Sequence, residues 1–343
     1  MLAFGKNNED TINEERIVNQ IRALGIDMIH EANSGHPGIV LGAASIIYTL
    51  YAHHIRIVKD DPNFFNRDRF VMSSGHGSAL LYATLAMAGF NIELDDLKKF
   101  RKIDSITPGH PEYGVTPGVD ATTGPLGQGV AMAVGMAIAE KHSEALINDK
   151  KNTVIDYKVY CLCGDGDLME GVSYEALSLA GNLKLNNLIL LYDSNHVCLD
   201  SDTKKTFTDD IEARFKAMGF NVSTVSDDIA SIDKAIKEAK NSDLPSLIQV
   251  KTTIGKYSRN AGKNIVHGKP LDDEDITNIK NELNIRNIPF AISNEALEDF
   301  QNLINKRCEN LVKDFNEKCE MLDEKTKALL DSLINNDKRV ELT

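Results

Sequence analysis

No stretch of about 18 apolar residues occurs in the sequence, which excludes a membrane-spanning helix. Residues Met1 to Asp10 hold no apolar core of a secretory signal, so a signal peptide is not expected. Positive charge is in short supply. The 38 Lys and Arg against 51 Asp and Glu leave a net charge of −13. A surface of that sign repels polyanions, which argues against nucleic acid as a partner. A small anionic ligand stays open, because a metal ion or a local cluster of His and Lys can override the global field. The five cysteines include no pair of metal-binding spacing, so free thiols in a reducing cytoplasm are the expectation. Cys161 and Cys163 sit two apart in an apolar run and share one face of a strand.

What is present is an ordinary folded composition, 42% hydrophobic and 26% charged. The 343 residues can bury a full core without staples. The length allows about two domains, or one large α/β domain with an appendage. Apolar residues at Ile12, Ile17, Ile21, Leu24 and Met28 predict a helix over 11–32, stopped by Asn33-Ser34-Gly35-His36-Pro37-Gly38. A second helix is expected over 41–53 and a strand over Arg69–Met72. The strand leads into Ser73-Ser74-Gly75-His76-Gly77 and a helix over 79–88. Residues 105–129 are too rich in Gly and Pro for regular structure, yet carry His, Glu, Tyr and Asp, so they read as an ordered functional loop before a helix over 128–142. The strands Val159–Cys163 and Leu188–Tyr192 follow, with a helix over 171–181 between them. Then come a helix over 210–218, a strand near Phe220, a helix over 229–240 and the strand Leu247–Val250. Unbroken apolar strands alternating with helices predict a doubly wound, mainly parallel sheet covered by helices on both faces. Ligands of such sheets bind at the carboxyl ends of the strands, where all of these loops are expected. From Leu271 onward the chain is charged, almost free of Gly and helical in pattern. The expected division is one domain over 1–321 and a helical exit segment over 322–343.

Two constellations carry chemistry. Gly164-Asp165-Gly166 and Asn195 each follow an apolar strand and are presented at one sheet edge. Asp165 and Asn195 offer hard oxygen ligands suited to Mg²⁺ or Ca²⁺, and the glycines let phosphates approach backbone N–H groups. A helix after Gly166 would aim its positive end at the site. His36, His76, His110 and His267 each sit in a Gly-flanked loop, and imidazoles are suited to moving protons near neutral pH. A zinc reading is weaker, since the spacings are long and these loops hold no Cys.

Taken in order, several strings resemble the amino-terminal, thiamine-diphosphate-binding part of the transketolase family. They are Ser34-Gly35-His36-Pro37-Gly38, Ser74-Gly75-His76-Gly77, Pro108-Gly109-His110-Pro111-Glu112, Gly124-Pro125-Leu126-Gly127-Gln128-Gly129 and Gly164-Asp165-Gly166 with Asn195. The resemblance covers about residues 11–270 and implies the thiamine-diphosphate-binding fold. It implies that Asp165, Asn195 and the carbonyl of Val197 hold Mg²⁺ (or Ca²⁺ or Mn²⁺) against thiamine diphosphate. It places His76 and Gly166 at the diphosphate and Gly124 and Leu126 along the rings. It assigns His36, His110 and His267 to the reacting carbon, with His267 also among the cofactor contacts. Glu170, implied as a further cofactor residue, and Glu175 match acidic positions near the family's subunit interface. The implied activity is transfer of a two-carbon ketol unit from a ketose phosphate to an aldose phosphate in the pentose phosphate pathway, by a cytoplasmic homo-oligomer.

The family's chains are about twice this long, and their second domain supplies the glutamate that activates the cofactor's pyrimidine ring. After His267 no further buried strand series appears and Trp is absent, so that pyrimidine-binding half is not recognisable here. The expectation is a chain that binds Mg²⁺ and the diphosphate weakly and does not turn over alone. Ile39-Val40 also replaces the family's frequent Ala-Pro. Three origins stay open: part of a longer enzyme, the small subunit of a two-chain enzyme, or a non-catalytic relic. Dihydroxyacetone synthase or another thiamine-diphosphate enzyme subunit is the nearest alternative activity, and a pure binding or scaffold module the alternative of another class.

Overall fold

The computed structural model describes residues 12–335. Five strands form one sheet: β1 (Arg69–Met72), β2 (Val159–Gly164), β3 (Leu188–Ser194), β4 (Asn221–Ser226) and β5 (Ser246–Lys251). Their order is β1-β2-β3-β5-β4, and every pairing is parallel. Successive residues of the central strands enter opposite cores. Tyr160, Leu162, Ile189 and Leu191 face one side, and Val159, Cys161, Cys163, Leu188 and Leu190 the other. With both faces apolar, these strands read as continuous hydrophobic runs, as the sequence pattern implied. Only β4, at the edge, is largely open to solvent.

The first face is covered by α1 (Glu14–Ala32), α2 (Pro37–Gly42), α3 (Ala44–His53), α4 (Ser78–Met87) and the short α5 (Leu94–Lys98). The second carries α6 (Gln128–Ile147), the five-residue α7 (Asp165–Met169), α8 (Gly171–Asn182) and α9 (Ile211–Ala217). α10 (Ile229–Lys240) returns to the first face through Ile232 and Ile236. The four remaining helices divide between the faces. α11 (Asp273–Glu282) and α12 (Asn294–Cys308) bury Ile276 and Phe300 in the first core. α13 (Leu311–Glu320) and α14 (Glu324–Ile334) bury Phe315 and Leu330 in the second. Residues 336–343 of the expected exit segment and residues 1–11 lie outside the described part.

Local chemistry sets the boundaries. The Asn13 side chain accepts the N–H of Arg16 at the start of α1, and Asn33 ends it in the left-handed conformation. The helix expected over 41–53 starts earlier, at Pro37, because proline suits the first turn, and it breaks at Ala43. α6 runs five residues beyond the expected end. Two loops reach the carboxyl edge of the sheet by another route than a strand. The segments around His36 and from Ser105 to Gly127 follow helices α1 and α5 rather than strands, and fold back over the same sheet edge.

At that edge α6 starts directly against the end of β1. A Cβ added at Gly129 would stand 2.5 Å from the Ser73 Cα, with no flexible side-chain tip to give way. Gly129→Ala is therefore expected to cost about 1–3 kcal/mol through overpacking. Urea unfolding measures this, and an unchanged midpoint would contradict the close approach.

Candidate functional site

Three strand ends, two loops and one long segment converge on a cavity of about 250 Å³. β1 delivers Ser74 and His76, β2 delivers Gly164, Asp165, Gly166 and Asp167, and β3 delivers Asp193, Asn195 and Val197. Ile254 comes from the segment after β5 and His267 from further along it. His36 enters from the α1–α2 loop, and Gly124 and Leu126 from the loop before α6. The motifs singled out from the sequence thus meet at one place, although they span more than two hundred residues.

The carboxylates are held but not neutralised. Asp165 is buried, accepts the Tyr192 hydroxyl at 2.6 Å on Oδ1 and the His196 N–H at 3.1 Å on Oδ2. Asp193 accepts the Asn195 side-chain N–H at 3.0 Å and the Thr252 hydroxyl. Burial raises the pKa of Asp165 above its ordinary value and pushes Asp193 up to about 6. No Lys or Arg pairs with Asp165, Asp167 or Asp193 among the described residues. Asn195 Oδ1 accepts the Val197 N–H at 3.0 Å, which turns that oxygen inward on the loop. Val197 sits opposite Asp202 in an isolated bridge whose hydrogen bonds come from the flanking residues, leaving its own carbonyl out of them.

The histidines form a second group. The rings of His36 and His76 lie 4.9 Å apart, His76 and His267 stack at 5.0 Å, and His36 and His267 lie 5.7 Å apart. His110 stands at the rim, its ring against Gly124, and its backbone carbonyl accepts the Tyr82 hydroxyl at 3.1 Å. All four imidazoles are driven toward neutrality. Burial and the neighbouring His267 lower His36 to about 4. Burial is also the first cause of the lowered values of His76, His110 and His267.

Sequence reasoning missed Arg101. It follows Lys98 and Lys99 and reads there as one more surface cation. In the fold it adopts φ 61° and turns inward, donating to Ser34 Oγ at 2.9 Å and to His36 Nδ1 at 3.4 Å. A guanidinium only donates, so this contact places the His36 proton on Nε2. One expectation needs correction. The helix that begins at the cavity is the five-residue α7, with the long α8 starting only at Gly171, so little helix dipole is aimed at the site. Glu170, expected among the cofactor residues, is exposed in this chain, lies beside Gly127 and is not part of the cavity lining.

The donor set fits thiamine diphosphate with a divalent cation. One buried carboxylate, one amide oxygen and one free carbonyl are hard ligands that leave positions for phosphate oxygens. His267 Nδ1 is a buried polar atom with no partner.

The family model described as the transketolase, thiamine diphosphate binding domain matches residues 13–338. A transketolase of Bacillus subtilis is 54% identical over 270 residues, covering 78% of this chain and 40% of the relative. The transketolase structure of Campylobacter jejuni superposes with a TM-score of 0.90 at 43% identity, covering 95% of this chain and 51% of that one. A Pichia stipitis transketolase in complex with sedoheptulose-7-phosphate superposes at 0.88 and 39% identity, covering 94% of this chain and 48% of that one. The chain therefore spans about half the length or less of the relatives it matches.

The histidine values fix the sign of a pH effect. A free imidazole titrates near 6.5, whereas His36 in the fold titrates near 4. At this group the unfolded chain binds more protons between those values, so the His36 contribution to stability falls as pH drops through that window, while Asp193, pushed up to about 6, acts in the opposite direction. In thermal unfolding from pH 7.5 to 4.5, His36→Asn is expected to gain stability relative to wild type as pH drops, because the wild type alone loses the His36 contribution. A variant with the same pH slope as the wild type would contradict the assignment.

Proposed function

Since the chain belongs to the transketolase family through its thiamine diphosphate binding domain, we propose that it forms the diphosphate side of a transketolase active site. The activity is transfer of a two-carbon ketol unit from a ketose phosphate to an aldose phosphate. The observation that carries this is the single cavity in which Asp165, Asn195, Val197 and three histidines converge. Thiamine diphosphate, when bound, supplies the electron sink for breaking and making the carbon–carbon bond.

The chain's own residues do the rest. Asp165, the amide oxygen of Asn195 and the Val197 carbonyl would hold Mg²⁺, with Ca²⁺ or Mn²⁺ as substitutes of the same donor preference. His76 and Gly166 would meet the diphosphate, and Gly124 and Leu126 would line the rings. His36, His110 and His267 would orient substrate hydroxyls and move their protons. A neutral imidazole donates from one nitrogen and accepts at the other, so the depressed values keep these rings ready for both tasks at pH 7. Arg101 would hold the His36 ring so that Nε2–H is the nitrogen offered. Sugar phosphates are supported as substrates by the ligand in the Pichia structure.

The pyrimidine-binding half would come from the rest of a longer chain or from a separate subunit. Activity in the cytoplasm fits a chain in which no described helix is long and apolar enough to cross a membrane. Self-association would use the outer faces of α6 and α8, which leave Met132, Val172, Tyr174, Leu179 and Leu183 exposed around Glu175 and Glu170. Exposed apolar side chains on two helices that pack together favour a partner surface over water.

Two measurements follow. Asp165→Asn is expected to weaken Mg²⁺-dependent binding of thiamine diphosphate by more than the roughly 10-fold typical of losing a supporting group. Calorimetry with unchanged affinity would defeat the metal assignment. In sedimentation, Leu179→Asp is expected to shift the chain toward monomer, and an unaltered distribution would remove α8 from the contact.

A further inference from the structure

Asp167 lies in the first turn of α7, next to the end of β2, and has no task in the function proposed above. Its side chain is fully buried at 0% exposure. Oδ1 accepts the Ser73 hydroxyl at 2.7 Å and the Gly127 N–H at 2.8 Å. Oδ2 accepts the Ser74 hydroxyl at 2.6 Å and the Gly164 N–H at 3.0 Å. These donors belong to three separate segments: the end of β1, the turn before α6 and the end of β2. The same segments supply Ser74, Leu126, Gly164 and Gly166 to the cavity wall. Ser73 Oγ also accepts the Val130 N–H at 3.1 Å, so the tie extends into the first turn of α6. Gly127 holds φ 80°, a conformation open to glycine, which lets its N–H point back at the carboxylate.

We propose that Asp167 is a positioning residue for the thiamine diphosphate site, binding three otherwise separate loops into one preformed wall. The ligand's identity rests on the function proposed above, whereas the clamp itself does not. A carboxylate accepts on both oxygens, and all four donors are satisfied at once. An amide in its place has one accepting oxygen and turns N–H groups toward the other pair. The serine hydroxyls can reverse, but a backbone N–H cannot accept, so Asn at 167 releases Gly127 or Gly164. Loops freed in this way raise the ordering cost of binding.

The test compares Asp167→Asn with wild type and with Leu330→Ala, a buried change on α14 at the far side of α6. Hydrogen exchange on the chain without ligand should speed up at the peptides carrying Gly127 and Gly164 in Asp167→Asn and stay unchanged in Leu330→Ala. Calorimetric titration with thiamine diphosphate at saturating Mg²⁺ should show affinity lost or weakened about 10-fold or more in Asp167→Asn, and unaltered in Leu330→Ala. Unchanged exchange at those peptides, or an equal affinity loss in both variants, would overturn the proposal. If wild type takes up no cofactor, the functional reading falls, and the exchange rates alone then support or overturn the clamp.

Discussion

A parallel sheet buried on both faces has one edge where successive strands deliver polar groups together, and this chain hangs its chemistry from that edge. β1, β2 and β3 end in Ser73-Ser74, Gly164–Asp167 and Asp193–Val197, side by side through the register of the sheet. Two loops with no strand of their own, around His36 and before α6, fold over the same edge. They stay there because specific groups hold them: Arg101 reaches Ser34 and His36, and Asp167 reaches Gly127. The fold supplies the edge, and a few charged side chains decide what is gathered on it.

The electrostatics of that gathering are unusual for a site meant for anions. Three carboxylates lie at the cavity without a cationic partner, and the surrounding imidazoles are held neutral by burial. On a chain of net charge −13, an anionic diphosphate meets little positive charge beyond Arg101. Backbone N–H groups and a divalent cation brought with the ligand are the groups able to offset this. Among the described residues no set of three or more His, Cys, Asp and Glu forms a metal site.

Much of this was legible in the sequence. The buried strands were visible as unbroken apolar runs, and Asp165 and Asn195 were visible because each follows one. His36, His76 and His267 stood out by their glycine neighbours and do meet. What stayed hidden depends on tertiary direction. Arg101 sits among lysines and only its left-handed backbone turns it inward. Asp167 lies two residues from Asp165 and has the same chemistry, but its donors come from segments 40 and 94 positions away, which no local pattern reveals.

The most direct test of the account is a crystal structure of the chain grown with thiamine diphosphate and Mn²⁺, using anomalous scattering to locate the metal. The account predicts one strong peak among the Asp165 carboxylate, the Asn195 amide oxygen and the Val197 carbonyl, with the diphosphate beside Gly166 and His76. A metal bound elsewhere, such as at the exposed acidic residues Asp209, Asp210 and Glu212, or a diphosphate away from Gly166, would contradict it.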